Sequence, residues 1–477
     1  MTDTALQANR LRKNALGAGA ITFMVVSAAA PLTGVVGALP LAYLLGNGAG
    51  VPATFILCTL LMLIFAVGYV AMSRHVTNAG AFYAYCARGL GGNFGGAVSI
   101  VAMVSYNAMQ IGLLGLLGGA AAGQFASVGI NLPWWAWSGI AIAIVGFLGY
   151  RQVEVSARIL MALVLLEYII VFIVDFAILS KGGAAGLSFN LFEGAAFQSG
   201  SLTAAVLFCL GCFIGIEATT IYSEEARDPQ KTIPRATYLS VMVIGMFFLF
   251  TAWLILAGAG FDKFAATLKG MQDPTAFVPT IAGNFAPAWV VNLMGWLFIT
   301  SIFAAVSAFH SYIARYTYVA GREGLLSDSL GVTHPVFQSP YKGSIIQTIC
   351  AIIVVAIFAL LGLDPILNLF TWISQLGTLG VIGMMGMTSL AVIAYFRKHS
   401  GGNAFSTFLA PLVAALAMAA LFVYIFLNFG DLTGTAGGVL AWVLPALIPV
   451  AFIVGMILAN NLKSRDAKRF AALGTNL

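Results

Sequence analysis

The sequence predicts an all-α polytopic membrane protein with twelve transmembrane helices, and three observations lead to this fold class. Of the 477 residues, 61% are hydrophobic and only 8% are charged, and the mean hydropathy is +0.98. Soluble domains carry about 25% charged residues. Apolar runs long enough to cross a bilayer, about 20 residues each, recur along the chain. The basic residues are confined almost entirely to alternate loops between these runs, so the net charge of +6 indicates membrane topology and not a nucleic-acid partner.

The twelve predicted spans are residues 17–45, 50–72, 95–123, 133–149, 157–180, 201–223, 236–260, 288–318, 344–362, 366–395, 405–428 and 438–461. They divide the chain into a tail (1–16), a first group of five spans (17–180), a second group of five (201–395), a final pair (405–461) and a second tail (462–477). Spans 11 and 12 contain no buried acid or base, so we expect them to form a peripheral scaffold or a contact within a homo-oligomer.

The distribution of charge predicts the orientation of the chain. With both termini placed inside, the 22 Lys and Arg residues divide into 19 inside and 3 outside, the latter being Lys181, Lys263 and Lys269. Cytoplasmic loops carry such an excess of basic residues. We therefore expect cytoplasmic N- and C-termini and a multi-pass location in the cell (inner) membrane. The first apolar run is too long for a cleavable signal peptide.

Two spans contain breaks, and these spans occupy matching positions. Span 1 is interrupted at 27–34 around Pro31, which cannot donate a backbone hydrogen bond. Span 6 is interrupted at 211–217 around Gly215. Each of these spans opens a group of five, and paired interrupted helices are the best sequence indication of a transporter binding site. The alternative is a pair of ordinary kinks or close helix contacts.

Glu217 lies beside the second break, inside an apolar segment. A carboxylate at that depth costs roughly 2.5–3.5 kcal/mol on insertion scales and is expected to face a cavity or a partner. Three roles remain open: contact with a cationic substrate, transport of a coupled proton, or a gate that ties helix 6 to its neighbours.

Four motifs carry a resemblance to a known family. They are NAGAFYAY at 78–85, GYRQVEVSAR at 149–158, FIGIE followed by EE, DP and IPRA within 213–236, and HSYIARY followed by GREGLL within 310–326. Together they resemble the amino acid–polyamine–organocation (APC) permeases over nearly the whole chain. Span 1 has AAAP at its break where that family frequently has GSG, so the resemblance leaves the substrate open.

The resemblance implies a LeuT-type fold, in which two inverted repeats of five helices are followed by two peripheral helices. It also implies a site for an amino acid or amine between broken helices 1 and 6, flanked by helices 3, 8 and 10. The candidate substrate-binding residues are Ala29, Ala30, Thr33, Gly34, Tyr106, Asn107, Gln110, Phe213, Ile214, Gly215, Glu217, Phe309 and Trp372. The N–H groups of Thr33 and Gly34 suit a carboxylate, and the freed carbonyls near Phe213 suit an ammonium group.

Glu167 is a second acid inside a span, at a position where proton-coupled relatives of this family often carry a lysine. It is expected either to couple protons to transport or to be a buried acid bonded to backbone near the helix 1 break, so Glu167 and Glu217 compete for the coupling role. Asp175, two turns further along, is expected to be interfacial. Arg74, Glu225 and Arg322 are candidates for an inner gate of charged side chains, for which the alternative is a solvated helix end.

The function expected from these features is secondary active transport of an amino acid or amine, by proton-coupled uptake or, alternatively, by exchange. The expected partners are this substrate, protons and the lipid bilayer. The sequence has no nucleotide-binding motif, no paired nucleophile and base, and no metal-ligand spacing among its histidines and cysteines. We therefore expect no catalytic residues, no metal and no cofactor. A channel is disfavoured because the chain has no selectivity-loop motif.

Overall fold

The computed structural model describes residues 17–76, 80–151, 157–189, 200–221, 226–399, 401–434 and 438–475. These residues are almost entirely helical, in agreement with the predicted class. The first group of spans comprises α1 (Ala18–Ala28), a π-helical segment (Thr33–Ala38) that continues into α2 (Leu39–Leu45), α3 (Val51–Ser73), the short α4 (Phe82–Leu90), α5 (Gly92–Ala126), α6 (Trp134–Arg151) and α7 (Ala157–Lys181).

The second group begins with α8 (Leu202–Gly211) and α9 (Ala218–Ile221) and continues with α10 (Pro229–Ala259), α11 (Phe264–Lys269), α12 (Phe277–Phe285), α13 (Ala288–Arg322) and α14 (Tyr341–Leu360). A π-helical segment (Pro365–Ser374) leads into α15 (Gln375–Phe396). The chain ends with α16 (Ala410–Leu427), α17 (Gly430–Thr433), α18 (Val439–Arg465) and α19 (Ala467–Ala471).

Nine helices among the described residues are long and apolar enough to cross a membrane. The predicted spans 1, 4 and 6 are not among them. Spans 1 and 6 are divided by their breaks into shorter helices, and span 4 corresponds to α6, which has only 18 residues and ends on Arg151. The chain is thus a multi-pass membrane protein, and the count of twelve spans stays a prediction.

The break in span 1 separates α1 from the π-helical segment. Ala30 adopts a positive φ of 45° immediately before Pro31, a conformation that is uncommon for a residue with a Cβ. Because Pro31 has no N–H and its ring clashes with a regular preceding turn, a continuous α-helix is disfavoured at this point. The break is therefore favoured by the local sequence.

The break in span 6 is a run of turns between α8 and α9. Gly215 has a φ of 112°, a backbone conformation that residues with a Cβ rarely adopt. The backbone N–H of Phe213, Ile214 and Ile216 each bond to the carbonyl three residues earlier, so the segment coils more tightly than an α-helix. This geometry leaves Glu217 at the start of the next helical turn.

The long helix α5, which is span 3, forms the centre of the molecule. It packs against α13, α15, α18 and the π-helical segment Pro365–Ser374. The contact with that segment is close because Gly112 has no side chain: a Cβ there would come within 2.6 Å of the backbone nitrogen of Ser374. Glycine at such contacts lets membrane helices approach to backbone distance.

Three features add to the sequence predictions or differ from them. Span 7 begins at Pro229 instead of residue 236, because Pro229 is favourable in the first turn of a helix and Pro234 is accommodated in the second. Span 10 begins with ten π-helical residues. Asp175, predicted to be interfacial, is fully buried and accepts a hydrogen bond from Thr251 Oγ1 at 2.7 Å. The burial follows from the packing of α10 and α12 against α7, and the interfacial position of Asp175 stays a prediction.

Candidate functional site

The start of the helix after the span 1 break is held by Glu167 of α7 and Ser301 of α13. The backbone N–H of Leu32 donates to Glu167 Oε2 at 3.2 Å, and the Ser301 hydroxyl donates to the same oxygen at 2.7 Å. The N–H and hydroxyl of Thr33 both donate to Ser301 Oγ, at 3.2 and 3.0 Å. A carboxylate at a helix N-terminus satisfies N–H groups that the helix leaves unpaired. One acid thus joins span 1 to span 5 (α7) and span 8 (α13).

Glu217 holds the second break. Its Oε2 accepts the backbone N–H of Gly215 at 2.9 Å, and its Oε1 accepts the hydroxyl of Tyr106 at 2.7 Å. The side chain is only 2% exposed. Both carboxylate oxygens are therefore occupied, one by the broken helix itself and one by helix 3.

Two further side chains that the sequence analysis did not identify support this break. Tyr69 on α3 donates to the backbone carbonyl of Glu217 at 3.1 Å and lies 2.5 Å from Thr220 Oγ1. Thr220 Oγ1 also bonds the Glu217 carbonyl, at 2.9 Å. Neither residue belongs to a motif, and their only signal in the sequence is a polar group inside an apolar run. The first turn of α9 is therefore hydrogen-bonded to span 2 (α3) as well as to span 3 (α5).

The two breaks lie side by side. A Cβ on Gly34, just after the first break, would come within 3.3 Å of Cys212 Sγ at the second break. The same Cβ would overlap the Phe248 ring, with carbon atoms only 2.3 Å away. Gly34 is thus needed for the close contact between spans 1, 6 and 7. The structure brings together the two interrupted segments that lie about 180 residues apart in the chain.

Of the predicted polar residues on span 3 (α5), only Tyr106 reaches the breaks. Its ring centroid lies 5.9 Å from that of Phe309 on α13, so these two predicted site residues do meet. Asn107 Nδ2 bonds back to the Met103 carbonyl at 2.7 Å. Gln110 turns toward α13 and α14, where it bonds His310 and Gln347. Trp372 donates to the Leu432 carbonyl between spans 11 and 12, at 3.2 Å.

The backbone groups predicted to receive a substrate carboxylate already have partners. The N–H of Thr33 bonds Ser301, and the N–H of Gly34 bonds the Ala30 carbonyl at 3.1 Å. Ala29 is half-buried, whereas Phe213 and Ile214 are buried. A ligand at the helix 1 break would therefore have to replace bonds that exist in this conformation.

An unsatisfied acceptor faces the second break from span 10. Gln375 Oε1 is buried and has no hydrogen-bond partner among the described residues. It lies 4.0 Å from the position that a Cβ on Gly211 would occupy, and Thr378 Oγ1 lies 3.5 Å from that position. Because buried polar atoms in native proteins are nearly always paired, this oxygen is suited to accept a bond from a ligand.

The predicted inner gate is described only in part. Glu225 lies outside the described residues. Arg322 is exposed, and its guanidinium carbon lies 5.6 Å from the centroid of the Tyr318 ring. Arg74, also exposed, follows the end of α3. The ion pairs among the described residues involve Lys231 and Arg469, so a gate formed by Arg74, Glu225 and Arg322 stays a prediction.

Two adjacent helix breaks, each held by a buried carboxylate, are typical of membrane transporters. The chain matches the family model "Amino acid permease" over residues 21–468, and it therefore belongs to the amino acid permease family of the APC superfamily. The family resemblance inferred from the four motifs is confirmed.

Curated relatives include transporters of different small molecules. The chain is 25% identical over 314 residues to the low-affinity putrescine importer PlaP of Escherichia coli, covering 64% of this chain and 67% of PlaP. It is 23% identical over 372 residues to the methylthioribose transporter of Bacillus subtilis, covering 74% and 75%. It is 24% identical over 318 residues to the branched-chain amino acid permease BcaP of Bacillus subtilis, covering 62% and 64%.

The fold is also found among solved structures. A manganese transporter of Eremococcus coleocola superimposes with a TM-score of 0.57 over 97% of this chain and 98% of that chain, at 13% sequence identity. At that identity the similarity establishes a shared fold only. The family and the fold together identify the protein as a membrane transporter of the amino acid and amine type.

Proposed function

We propose that this protein is a secondary active transporter that takes up an amino acid or related amine by alternating access, coupled to protons. The observation that carries the proposal is the pair of adjacent breaks in spans 1 and 6, each with its own buried acid. The LeuT-type arrangement of two five-helix repeats, at 17–180 and 201–395, belongs to this proposal, as do cytoplasmic termini and a cell-membrane location.

The substrate ammonium group is proposed to bind at the helix 6 break. Gln375 Oε1 supplies an unpaired acceptor there, and Gly211 leaves space in front of it. Carbonyls of the broken segment from Phe213 to Gly215 add further acceptors. A neutral amide and backbone dipoles bind an ammonium without burying a fixed counter-charge, which suits both amines and zwitterionic amino acids.

Glu167 is proposed to carry the coupled proton, because its hydrogen bonds to the described residues use only one of its two oxygens. Both bonds from Leu32 and Ser301 go to Oε2, so a proton on Oε1 removes the negative charge without displacing either partner. Hydrogen bonds to a charged group are roughly twice as strong as neutral ones. Protonation would therefore weaken the hold on the helix 1 break and favour its movement.

Glu217 is proposed to act as a gate element instead, because a proton on either of its oxygens would compete with Tyr106 or with the Gly215 N–H. Ser301 and Thr33 complete the link from Glu167 to helix 1, and Phe309 forms the aromatic wall beside Tyr106. Exchange of internal for external amine without a net proton flux is the alternative mode, and the experiment below separates the two.

Purified protein in proteoliposomes should show saturable counterflow of at least one labelled compound among putrescine, branched-chain amino acids and other amines. A channel conducts without counterflow, so absence of counterflow for every compound tested would refute the proposal. A permease limited to exchange would show counterflow but no accumulation under an imposed pH gradient.

The variant Glu167→Gln should abolish accumulation driven by a pH gradient and spare counterflow, because the amide keeps the oxygen acceptor for Leu32 and Ser301 but cannot carry a proton. The matched control is Asp175→Asn, a buried acid two turns along the same helix, which should retain driven uptake. Unchanged pH-driven accumulation in Glu167→Gln would rule out the coupling role.

A further inference from the structure

A second polar cluster lies beside the proposed substrate site, on the opposite side of α13 from helix 1. His310 on α13, Gln110 on α5, and Ser344 and Gln347 on α14 are each at most 2% exposed. The His310 Nε2 lies 2.7 Å from Ser344 Oγ, and its Nδ1 lies 3.1 Å from Gln110 Nε2. Gln347 Nε2 donates to Gln110 Oε1. Ionisable residues at this depth are costly and usually functional.

The fold makes room for this imidazole. On α6, a Cβ at Gly149 would come within 2.6 Å of His310 Cδ2 and Nε2, and within 2.8 Å of Ser344 Oγ. The fourth helix around the cluster therefore approaches with bare backbone. Polar side chains inside a span either bond neighbouring helices together or take part in function, and here three of them converge on one ionisable ring.

The cluster can keep its hydrogen bonds in two protonation states. In the geometry described, Gln110 donates to Nδ1, so the neutral ring carries its proton on Nε2 and donates it to Ser344. Gln347 Oε1 has no partner among the described residues. When both ring nitrogens carry a hydrogen, half-turns of the two amides let Nδ1–H donate to Gln110 Oε1 and let Gln110 Nε2 donate to Gln347 Oε1. The imidazolium is then bonded at both nitrogens.

Other titratable groups on α13 and on the helices packed against it do not bond to His310 in the described part of the chain. They include Tyr106 on α5, Tyr150 and Arg151 on α6, Glu167, Tyr168, Asp175 and Lys181 on α7, Tyr341, Lys342 and Cys350 on α14, Asp328 in the turn after α13, and Tyr312, Arg315, Tyr316, Tyr318 and Arg322 on α13. Glu167 bonds Ser301, nine residues before His310. The cluster therefore takes up a proton as a net positive charge, stabilised by neutral dipoles.

A route to the surface begins at Ser344. This residue lines an open groove of about 190 Å³ between α6 and α14, in which Thr348 and Tyr150 are the other polar residues and the rest of the lining is apolar: Ala143, Gly146, Phe147, Ile345 and Ile349. The Tyr150 hydroxyl lies 3.2 Å from Nε2 of His334, a partly exposed residue in the loop between α13 and α14. That loop lies on the predicted cytoplasmic side.

The cluster also contacts the substrate site. Phe309, adjacent to His310 in the chain, packs on Tyr106, which donates to Glu217 at 2.7 Å. Gln110 lies one turn from Tyr106 on α5. A charge on His310 is therefore separated from the break in span 6 by two contacts, that of Phe309 with Tyr106 and that of Tyr106 with Glu217.

We propose that His310 is a proton-binding site of the transport cycle, distinct from Glu167 and Glu217, that exchanges protons with the cytoplasmic side through the groove at Ser344 and Tyr150. The proposal rests on the proposed transport function. The proton enters at Nε2: when the neutral ring carries its hydrogen on Nδ1, bonded to Gln110 Oε1, Ser344 passes its hydroxyl proton to Nε2 and takes another from the groove side, and the reverse steps release it.

The first test measures transport. In proteoliposomes of defined orientation, His310→Gln should keep counterflow but lose the dependence of its rate on acid pH at the cytoplasmic face. Tyr150→Phe should slow the response to a pH jump on that face. His399→Gln, an exposed histidine at the end of α15, is the control and should behave as wild type. An unchanged pH profile in His310→Gln would refute the proposal.

The second test does not depend on transport. Nitrogen-15 spectra of the histidine-labelled protein contain four imidazoles, and the His310 signals are those absent from His310→Gln. Both neutral and protonated His310 should be detected as pH is lowered, with or without substrate. A ring that stays neutral throughout the titration would overturn the proposal even if counterflow is present. Absent counterflow with a titrating ring would instead place the failure in the proposed function.

Discussion

Tyr106 determines how Glu217 is used. Its hydroxyl donates to Glu217 Oε1, and its ring packs on Phe309. The same tyrosine is fully buried. Span 3 therefore acts on the span 6 break through one hydrogen bond, and each oxygen of the buried Glu217 side chain has a donor.

Tyr106→Phe should destabilise the protein by about 1–3 kcal/mol, because a buried acceptor loses its donor while the ring packing is kept. Thermal unfolding in detergent would measure this. The control is Tyr168→Phe on α7, whose recorded contacts are with the rings of Phe172 and Phe247; it should cost less. Equal losses in both variants would show that the bond to Glu217 contributes nothing specific.

At the scale of elements, the close contact between α5 and the π-helical segment Pro365–Ser374 positions span 10 against the centre of the molecule. Gly112 lies in this contact, and just beyond it, on α15, a Cβ on Gly377 would come within 2.6 Å of Met109 Cγ and of the Ser105 carbonyl oxygen of α5. Gln375, the acceptor proposed for the substrate, lies at the junction of the π-helical segment and α15. The contact thus sets the position of one wall of the site.

Gly112→Ala should therefore lower stability by about 1–3 kcal/mol, since the added methyl group has no free space beside Ser374. Gly123→Ala is the matched control on the same helix, because no atom lies within 4 Å of its added Cβ; alanine there should be neutral or stabilising. The unfolding temperatures of the two variants provide the comparison. A stable Gly112→Ala protein would contradict the backbone-distance packing.

At the scale of the whole molecule, the C-terminal segment is fastened to distant parts of the chain. The N–H of Gly474 donates to Tyr83 Oη at 3.0 Å and to Glu323 Oε2 at 3.2 Å, and Tyr83 itself donates to Glu323. Arg469 pairs with Asp328 at 2.8 Å. This connection joins α4, the end of α13 and the tail, all of which lie on the predicted cytoplasmic side.

Burial raises the pKa of Glu323 from 4.5 to about 7, although the Gly474 amide lowers it in part. The folded protein then binds this proton more tightly than the unfolded chain. Its contribution to stability is fully present below about pH 4.5 and is lost as pH rises through about 7. The side chain in Glu323→Gln is neutral at every pH. The unfolding free energy of this variant should therefore exceed that of wild type by up to about 3 kcal/mol above about pH 7.

Unfolding temperatures of the wild type and Glu323→Gln, measured from about pH 5 to 8, check this sign. The difference between the two proteins should grow as pH rises. Asp328→Asn, which alters an exposed acid in the same region, should show no such trend. A constant difference across the range would mean that Glu323 does not titrate there.

The sequence by itself determined the class of fold, the positions of the two helix breaks and the family. Those features are local: hydrophobic runs set the spans, Pro31 and Gly215 set the breaks through their backbone chemistry, and the family motifs are contiguous. The acids Glu167 and Glu217 were identifiable for the same reason, since a charge inside an apolar run is conspicuous.

Only the tertiary structure decided the partners of these residues. Helical spacing placed Tyr106 and Gln110 on one face, yet one bonds Glu217 and the other bonds His310. Ser301 and Tyr69 gave no signal beyond an ordinary polar residue in a span. Their roles depend on contacts between residues more than 70 positions apart, which the packing of helices creates and a periodic pattern does not contain.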